Sequence, residues 1–460
     1  MTLIASVSGI RGTIGGKAGS NLTPVDIIAF TSAYAQWLQS QGKDTFKVVI
    51  GRDARPSGRM LRDLVSQTLC AAGIDVIDCD LATTPTVEME VVRQKADGGI
   101  ILTASHNPEN WNALKLLNHR GEFLSAEDGA KILDYVNEGS TEFAPVDKLG
   151  KITETNDHLK SHIQAILDLP EVNVEKIAAR DFSVVVDGIN SVGALAMPAL
   201  LSALGVKRVF VENADMHGYF AHNPEPLKEH LGETMKVVLD KKADMGIIVD
   251  PDVDRLAFID EKGEMFGEEY TLVAAADFWL SKHPGPVVSN MSSSRALEDL
   301  AAKYNQQRHT SAVGEVHVVT KMKEVNAVIG GEGNGGVILP ALHYGRDALV
   351  GVALVLTHMA ETGKSLTELR AGYARYEMSK NKVQLGDKVN PDSILEKLML
   401  KYSNEKVETI DGLKINFDTG WVHMRKSNTE PIIRIYSEAP TQTQADDLAA
   451  SFVSEIQSMV

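Results

Sequence analysis

Ser105 lies in the stretch TASHNPENWNALK (residues 103–115), which follows the apolar run GGIIL and contains a single lysine, Lys115. A serine directly after a buried strand can be a hydrolase nucleophile, a phosphorylation site or part of a plain turn. A hydrolase serine needs a Gly-x-Ser-x-Gly turn and a histidine from elsewhere in the fold. Here an alanine precedes Ser105, and His106 is too close in sequence to act as its base. The pattern therefore disfavours a hydrolase and leaves the other two interpretations open.

Three aspartates alternate in the stretch DPDVDR: Asp250, Asp252 and Asp254. In an extended loop we expect their carboxylates to converge on a hard divalent cation. An EF-hand is disfavoured, because Arg255 occupies the position that requires glycine and the flanking segments read as strands. A phosphatase with an aspartyl nucleophile and a plain acidic turn remain as alternatives.

Two further stretches carry polar groups that could bind a ligand, one suited to sugar hydroxyls and the other to phosphate oxygens. GGEGNGG (330–336) lacks the Gly-Lys-Ser/Thr of a P-loop, but the carboxylate of Glu332 could accept hydrogen bonds from sugar hydroxyls. RKSNTEPIIR (425–434) combines two arginines with Ser, Asn and Thr, a composition typical of a phosphate cradle. A solvated surface cluster is the plain alternative for the second stretch.

Length and charge narrow the class of protein. A chain of 460 residues predicts two to four domains, and 43% hydrophobic residues is typical of a globular protein. The net charge of −16 argues against a nucleic-acid partner or an anionic membrane surface, but it allows a small anionic substrate. The N-terminal stretch does not resemble a secretory signal, and no apolar run has the length of a membrane span. Two cysteines without metal-ligand spacing favour a cytoplasmic location.

The elements that must position these loops form an internal repeat. ADGGIILTASHNP and ADMGIIVDPDVDR share an Ala-Asp, a Gly and an Ile-Ile before a polar loop, and NAVIGGEGNGG is a weaker third copy. Another apolar run lies upstream of each copy, at a distance that leaves room for a helix, as in a βαβ unit. The last segment reads as strands followed by a helix. We predict three tandem α/β/α domains and a C-terminal α+β domain, with boundaries at 1–150, 151–256, 257–372 and 373–460.

Together, and in this order, these motifs resemble those of the α-D-phosphohexomutase family. TASHNP is similar to the family's phosphoserine loop, DPDVDR to its metal loop, GEGNGG to its sugar loop and RKSNTEPIIR to its phosphate loop. SGIRG and GRDARPSG also look like family segments, so the resemblance covers essentially the whole chain. It implies four domains around a central cleft, and closest similarity to the archaeal-type phosphoglucosamine mutase branch.

The resemblance implies a role for each motif residue. Ser105 would carry the phosphoryl group, and its phosphate would join the three aspartates on Mg²⁺. Lys115 would assist proton transfer, and Arg11 and His106 complete the candidate catalytic set. The substrate-binding candidates are Arg255, Glu332, Asn334, Arg425, Ser427, Asn428, Thr429 and Arg434.

The implied activity interconverts hexose 6-phosphate and hexose 1-phosphate through a hexose 1,6-bisphosphate, which also acts as activator. Phosphoglucosamine mutase is the favoured activity, with phosphomannomutase/phosphoglucomutase as the alternative. A sugar phosphatase and a non-catalytic sugar-phosphate-binding protein are more distant hypotheses. Gly336 stands where many members have a histidine, so Lys115 alone or His343 would take over its role. A phosphorylated hexose is the expected partner, and the protein is expected to be a monomer or a homodimer.

Overall fold

The computed structural model describes residues 2–6, 9–386, 389–427 and 431–459. The chain divides into two compact units, and neither is continuous in sequence. The first contains Met1–Phe278 and Asn334–Leu369, and the second contains Trp279–Gly333 and Arg370–Val460. The domain boundaries after residues 150, 256 and 372 stay predictions.

The first α/β sheet of the first unit has seven strands in the order β1-β2-β6-β5-β3-β4-β7. Its strands are β1 Ile4–Ser6, β2 Gly9–Thr13, β3 Lys47–Arg52, β4 Asp75–Leu81, β5 Gly98–Leu102, β6 Trp111–Asn118 and β7 Ile152–Glu154. The accompanying helices are α1 Pro24–Gln39, α2 Gly58–Ala71, α3 Thr84–Arg93, α4 Ala126–Glu138 and α5 His158–Leu167. Every residue of β5 is buried, because helices cover both faces of the parallel centre of the sheet.

The second α/β sheet lies in the same unit and has the order β11-β10-β8-β9. Its elements are α6 Val174–Ala179, β8 Ser183–Asp187, α7 Gly193–Ala203, β9 Arg208–Glu212, α8 Gly232–Lys241, β10 Met245–Val249 and β11 Leu256–Asp260. The helix α9 Glu268–Leu280 follows.

The third set of strands belongs largely to the second unit. Its elements are β12 Val287–Asn290, α10 Ala296–Lys303, β13 Arg308–Ser311, α11 Glu315–Val325 and β14 Ile329–Glu332. The chain then continues through β15 Gly336–Ile338, α12 Ala348–Thr362 and α13 Leu366–Ala371. Helix α12 is buried from Ala348 to Met359 and is therefore a central packing element of the first unit.

The C-terminal region is an antiparallel sheet of order β16-β20-β19-β18-β17 with two helices. Its elements are β16 Glu377–Gln384, α14 Pro391–Lys401, β17 Lys406–Glu408, β18 Leu413–Phe417, β19 Gly420–Lys426, β20 Ile432–Ala439 and α15 Gln442–Gln457. This confirms the predicted change from parallel α/β repeats to an α+β domain.

The three repeats share one arrangement of parallel strands, which runs β4-β3-β5, β9-β8-β10 and β13-β12-β14. In each, the upstream apolar run pairs in parallel with the strand that carries the polar loop. The gap that leaves room for a helix holds two helices and a further strand in each repeat. The spacing of about fifty residues exceeds the roughly thirty that one βαβ unit needs.

Within the residues that the structure describes, no helix has the length and apolar character of a membrane span.

Candidate active site

Ser105 lies three residues beyond the buried strand β5 and is itself buried, with 9% of its surface exposed. Its φ of +50° places it in the left-handed region, which costs a residue with a β-carbon about 1 kcal/mol or more. The Ser105 N–H donates to Thr103 Oγ1 at 3.0 Å, and this bond holds the turn. The serine of this polar loop is therefore buried and not exposed at the surface.

Arg55 lies in the loop after β3 and holds the serine loop through hydrogen bonds. Its guanidinium donates to the carbonyl oxygens of Ser105, Asn107, Pro108 and Trp111, and its Nε donates to Asp53 Oδ2. All five N–H donors of the arginine are thereby used. Because β3 and β5 are parallel neighbours, their loops leave the same edge of the sheet, and a single side chain can span them.

Asp53 connects this network to the turn of Ser105. Thr103 Oγ1 donates to Asp53 Oδ2 at 2.7 Å, and Arg55 Nε donates to the same oxygen at 2.9 Å. Burial raises the pKa of Asp53, and Arg55 and Thr103 only partly oppose this effect. The strained turn of Ser105 is therefore held by hydrogen bonds that begin on the adjacent strand.

The three aspartates follow β10 and are completely buried. Asp250 Oδ1 accepts the backbone N–H groups of Asp254 and Arg255, both at 3.1 Å. Val253 has a φ of +65°, so the segment is a tight turn and the expected extended loop is wrong. The turn still gathers the carboxylates, and one oxygen from each lies within 4.8 Å of the others.

The serine and aspartate loops meet directly. Ser105 Oγ donates to Asp250 Oδ2 at 2.7 Å. Burial raises the pKa of Asp250 well above its usual range, and the charges of Asp252 and Asp254 raise it further. A phosphoryl group on Ser105 would therefore lie against a concentration of negative charge that requires cations.

Lys115 and Arg346 supply part of that positive charge. Lys115 Nζ lies 2.6 Å from Asp252 Oδ2 and 3.3 Å from Asp254 Oδ2, and an Arg346 Nη lies 2.6 Å from Asp254 Oδ2. Burial lowers the pKa of Lys115, but the two carboxylates outweigh burial and hold it above its usual range. Burial likewise raises the pKa of Asp254, but Arg346 and Lys115 bring it below its usual range. The lysine is therefore a cation in this arrangement.

The aspartates also fit a hard divalent cation. Carboxylate and serine oxygens are the ligand type that Mg²⁺ prefers. Among the described residues, the buried Asp252 Oδ1 and Asp254 Oδ1 have no hydrogen-bond partner, which leaves two oxygens available for a cation. Thr84 fixes Asp252 from the other side, because its Oγ1 donates to Asp252 Oδ2 at 2.6 Å.

Three other predicted residues of the first unit lie around this centre. His106 Nδ1 is 3.5 Å from Ser105 Oγ, and burial and the Arg255 guanidinium lower the pKa of His106 to about 3. Arg255 Nη1 is 3.8 Å from Glu225 Oε1. Arg11 pairs across β2 and β6 with Ala113, which places it on the same face of the sheet as Lys115.

The residues near the missing loop histidine are placed differently from expectation. His343 Nδ1 lies 3.4 Å from Glu88 Oε2 and its Nε2 lies 3.3 Å from Asp347 Oδ2, so both ring nitrogens face a different cluster. The proposed substitution by His343 is therefore wrong in this structure. Arg346, three residues after His343, reaches the aspartates instead. Asn334 Oδ1 accepts the Gly336 N–H at 3.3 Å and shapes its own turn.

Glu332 belongs to the second unit, where it ends β14. It is buried, and its Oε1 accepts hydrogen bonds from Asn290 Nδ2 at 2.8 Å and from the Gly314 N–H at 2.9 Å. Two donors on one carboxylate oxygen fix the orientation of this side chain.

The phosphate-loop arginines also belong to the second unit. Arg425 and Arg434 are directly opposite in β19 and β20, and Arg434 is opposite Lys382 in β16. Like charges in such pairs are destabilising unless an anion compensates them. Arg425 Nη1 binds Asp411 at 3.0 Å, and the Ser427 N–H donates to the Ile432 carbonyl. Asn428 and Thr429 lie outside the described residues.

Sequence reasoning missed Arg55, Asp53, Thr84 and Arg346 as site residues. The signal for the first two was present, since GRDARPSG follows an apolar run in the same repeat as the serine loop. Thr84 and Arg346 are distant in sequence from the aspartates, and only the packing of the first unit brings them together.

Comparison with known proteins agrees with this arrangement. Models of the phosphoglucomutase/phosphomannomutase family match residues 3–143 as alpha/beta/alpha domain I, 160–263 as domain II, 267–376 as domain III and 380–455 as the C-terminal domain. A Thermococcus kodakarensis phosphoglucomutase/phosphomannomutase is 37% identical over 441 residues, or 94% of this chain and 95% of that protein. A Sulfurisphaera tokodaii phosphoglucosamine/phosphogalactosamine mutase is 33% identical over 471 residues, which cover 100% of this chain and 99% of that protein.

A solved structure shows the same fold. The crystal structure of a phosphoglucomutase/phosphomannomutase family protein from Burkholderia thailandensis has a TM-score of 0.85 and 24% sequence identity, covering 99% of this chain and 97% of that one. All four family domains match in order, and the two relatives align over nearly their full lengths. The chain therefore belongs to the phosphoglucomutase/phosphomannomutase family of phosphohexomutases and is an isomerase.

Proposed function

We propose that this chain interconverts hexose 6-phosphate and hexose 1-phosphate, with Ser105 as the phosphorylated residue and a hexose 1,6-bisphosphate as the intermediate. The observation that carries the proposal is the contact of Ser105 Oγ with the buried Asp250, at 2.7 Å. A strained, buried serine beside three carboxylates and two cations suits phosphoryl transfer, because that chemistry depends on positioning and charge.

Two transfers in sequence would complete the reaction. In the first, a sugar hydroxyl attacks phosphorus, the bond from phosphorus to Ser105 Oγ breaks, and the hydroxyl proton passes to the serine oxygen that leaves. In the second, the serine oxygen attacks the other phosphate of the bisphosphate, and the P–O bond to the sugar breaks. The proton returns to the sugar oxygen that leaves, so the enzyme ends phosphorylated as it began. By family resemblance Lys115 assists these proton transfers, and Asp252 and Asp254 hold its ammonium at the aspartate centre.

Magnesium is the cation that we propose for the aspartate centre. It supplies positive charge that offsets the phosphoryl group and the three carboxylates. Asp250, Asp252, Asp254 and the Ser105 oxygen would hold it. Two carboxylate oxygens that accept no hydrogen bond from the described residues support this assignment. Thr84 and Arg346 keep the carboxylates in position.

The substrate-binding roles rest on the family resemblance and on local geometry. Glu332, fixed by two donors, would accept hydrogen bonds from ring hydroxyls in either orientation of the sugar. Arg434 and Arg425 would bind the phosphate that does not react, which offsets their mutual repulsion. Ser427, Asn428, Thr429, Asn334 and Arg255 complete the proposed set.

Glucosamine phosphate is our preferred substrate, since the Sulfurisphaera tokodaii relative carries a phosphoglucosamine/phosphogalactosamine mutase name. The Thermococcus kodakarensis relative favours glucose and mannose phosphates as the second candidate. Measuring kcat/KM for the three 6-phosphates decides between them, because this ratio measures discrimination directly. A higher value for glucose or mannose phosphate would refute the preference for the amino sugar.

The test of the mechanism is Ser105→Ala, assayed with hexose 1,6-bisphosphate supplied. We expect interconversion to fall to the background level, because the acceptor oxygen is gone. Ser125→Ala, which removes a helix-capping hydroxyl of the same unit, is the matched control and should keep full turnover. Full activity of Ser105→Ala would refute the role of the serine, and stoichiometric release of inorganic phosphate by the native enzyme would indicate a phosphatase instead.

A further inference from the structure

A second cluster of metal-ligating side chains lies in the first unit, apart from the aspartate turn. His162 of α5 and His343 both direct Nε2 at one oxygen of Asp347, at 2.9 and 3.3 Å from Oδ2. His162 and Asp347 are almost completely buried, and the His343 side chain is 11% exposed. Three potential ligand atoms therefore converge on one point.

The other polar atoms of these side chains are held by separate partners. His162 Nδ1 is 2.9 Å from Thr86 Oγ1, and His343 Nδ1 is 3.4 Å from Glu88 Oε2. Asp347 Oδ1 accepts the backbone N–H groups of Leu349 and Val350 in the first turn of α12. Histidines that bind metals in proteins almost always have the second ring nitrogen held by a carboxylate, a carbonyl or water. His343 has this arrangement through Glu88, and in His162 the hydroxyl of Thr86 takes the place of the carboxylate.

The spacing of the inner atoms also suits a metal ion. Ligands about 2.0–2.1 Å from a tetrahedral zinc ion lie about 3.3 Å from each other. The His343–Asp347 separation is 3.3 Å, and the His162–Asp347 separation of 2.9 Å needs only a small expansion. All three atoms lie within 4.8 Å of one another.

A cavity of about 260 Å³ adjoins the cluster and is lined in part by His162 and His343. It has room for a water molecule or a small ligand beside the two histidines. His158, one helical turn before His162, also lines it. Its Nε2 lies 3.3 Å from the Leu81 carbonyl, while its buried Nδ1 has no hydrogen-bond partner among the described residues. The wall therefore holds an unused imidazole nitrogen.

We propose that His162, His343 and Asp347 bind a zinc-class divalent cation, separate from the proposed magnesium centre. Two imidazoles and one carboxylate select zinc and its neighbours over magnesium, which prefers oxygen ligands. Glu88 and Thr86 orient the two histidines from α3. The ion connects α5 with the segment that precedes α12 and thereby stabilises the first unit.

The test is metal content after incubation of the whole protein with Zn²⁺ in excess Mg²⁺, followed by desalting. We expect one zinc per chain in the native protein and in Asp250→Asn, which disrupts only the aspartate centre. We expect His343→Gln to lose the zinc and Glu88→Gln to weaken zinc binding about 10- to 100-fold. His158→Gln removes an imidazole from the cavity wall outside the ligand set and should keep the zinc.

Cobalt provides a second readout that does not depend on activity. Co²⁺ in a tetrahedral site gives visible absorption bands. We expect these bands in Asp250→Asn, and we expect them at lower intensity in Glu88→Gln. These two variants decide the outcome even if His343→Gln fails to fold. The proposal is overturned if the native protein retains no zinc, in which case the cluster is a hydrogen-bond network. It is also overturned if Asp250→Asn loses the zinc while Glu88→Gln binds it as the native protein does, because the zinc then belongs to the aspartates.

Discussion

Replacing Arg55 by lysine tests whether the serine loop is held in its reactive position by the neighbouring strand. The substitution keeps the positive charge beside Asp53 but replaces five N–H donors in a planar fork with three on a single nitrogen. Arg55 uses all five donors, and four of them bind carbonyl oxygens between Ser105 and Trp111. At least two of the five acceptors must therefore lose the hydrogen bond from Arg55, although the Pro108 carbonyl keeps one from the Trp111 N–H.

The structure gives the size of the effect. A buried acceptor without a partner costs about 1–3 kcal/mol, so two cost about 2–6 kcal/mol. The Ser105 carbonyl is fully buried, whereas the bonds to Asn107, Pro108 and Trp111 are only partly buried. Water can satisfy part of the loss, and we therefore take about 2 kcal/mol, which is about a 30-fold increase in the open population of the loop.

Two measurements check this value. Native-state hydrogen exchange should show about 30-fold less protection at loop amides of the Arg55→Lys protein. The kcat should fall about 100-fold, since a displacement of about 1 Å at the reacting atom can cost that much. Arg62→Lys is the matched control, because Arg62 binds Asp78 and Glu154 and does not reach the loop.

The reasoning is refuted if Arg55→Lys leaves both the loop protection and kcat within about threefold of the native values, which is within 0.7 kcal/mol. Reduced protection with unchanged kcat would show that Arg55 stabilises the loop without positioning Ser105 for catalysis.

Three other perturbations have defined outcomes. Arg346→Met removes a cation 2.6 Å from Asp254, so kcat should fall about tenfold while the Mg²⁺ concentration for half-maximal activity decreases; an increased Mg²⁺ requirement would contradict this. Arg434→Ala should raise KM about 10- to 100-fold at unchanged thermal stability, because the variant loses a charged hydrogen bond to the phosphate of the substrate. An unchanged KM would contradict the role of Arg434 in phosphate binding. Burial lowers the pKa of His222, but Asp187 outweighs burial and raises it, while the pKa of Asp187 is lowered. The pair therefore stabilises the folded protein most between about pH 4 and 6.5. It does so less as pH rises and His222 loses its charge, so the Tm of His222→Gln should approach the native Tm at high pH.

The repeat was readable from sequence because the loops that carry chemistry follow similar strands. Ile-Ile runs with a preceding Ala-Asp indicate buried parallel strands, and polar residues after such runs must lie at one edge of the sheet. Ser105 and the three aspartates were therefore found as candidates. The extra strand in each repeat was missed, because runs such as RVFVE and RHTS are short and only partly buried.

The positioning residues could not be identified in the same way. Arg346 is separated from Asp254 by a large part of the chain, and only the packing of α12 against the first unit brings them together. Arg55 was visible as part of a motif, but a sequence does not show that one guanidinium binds four carbonyls. His343 was assigned by its proximity in sequence to the sugar loop, whereas its contacts are set by Glu88 and Asp347.

The discontinuity of the first unit has a consequence for how the protein is made. Residues 1–278 leave the ribosome well before the segment Asn334–Leu369 that completes their unit. Until that segment emerges, the surface against which the apolar helix α12 packs stays uncovered, and Asp254 lacks Arg346. A nascent chain that pauses in this interval exposes apolar surface to aggregation and chaperone binding. Translation speed across residues 279–369 should therefore influence the yield of active enzyme more than speed elsewhere in the message.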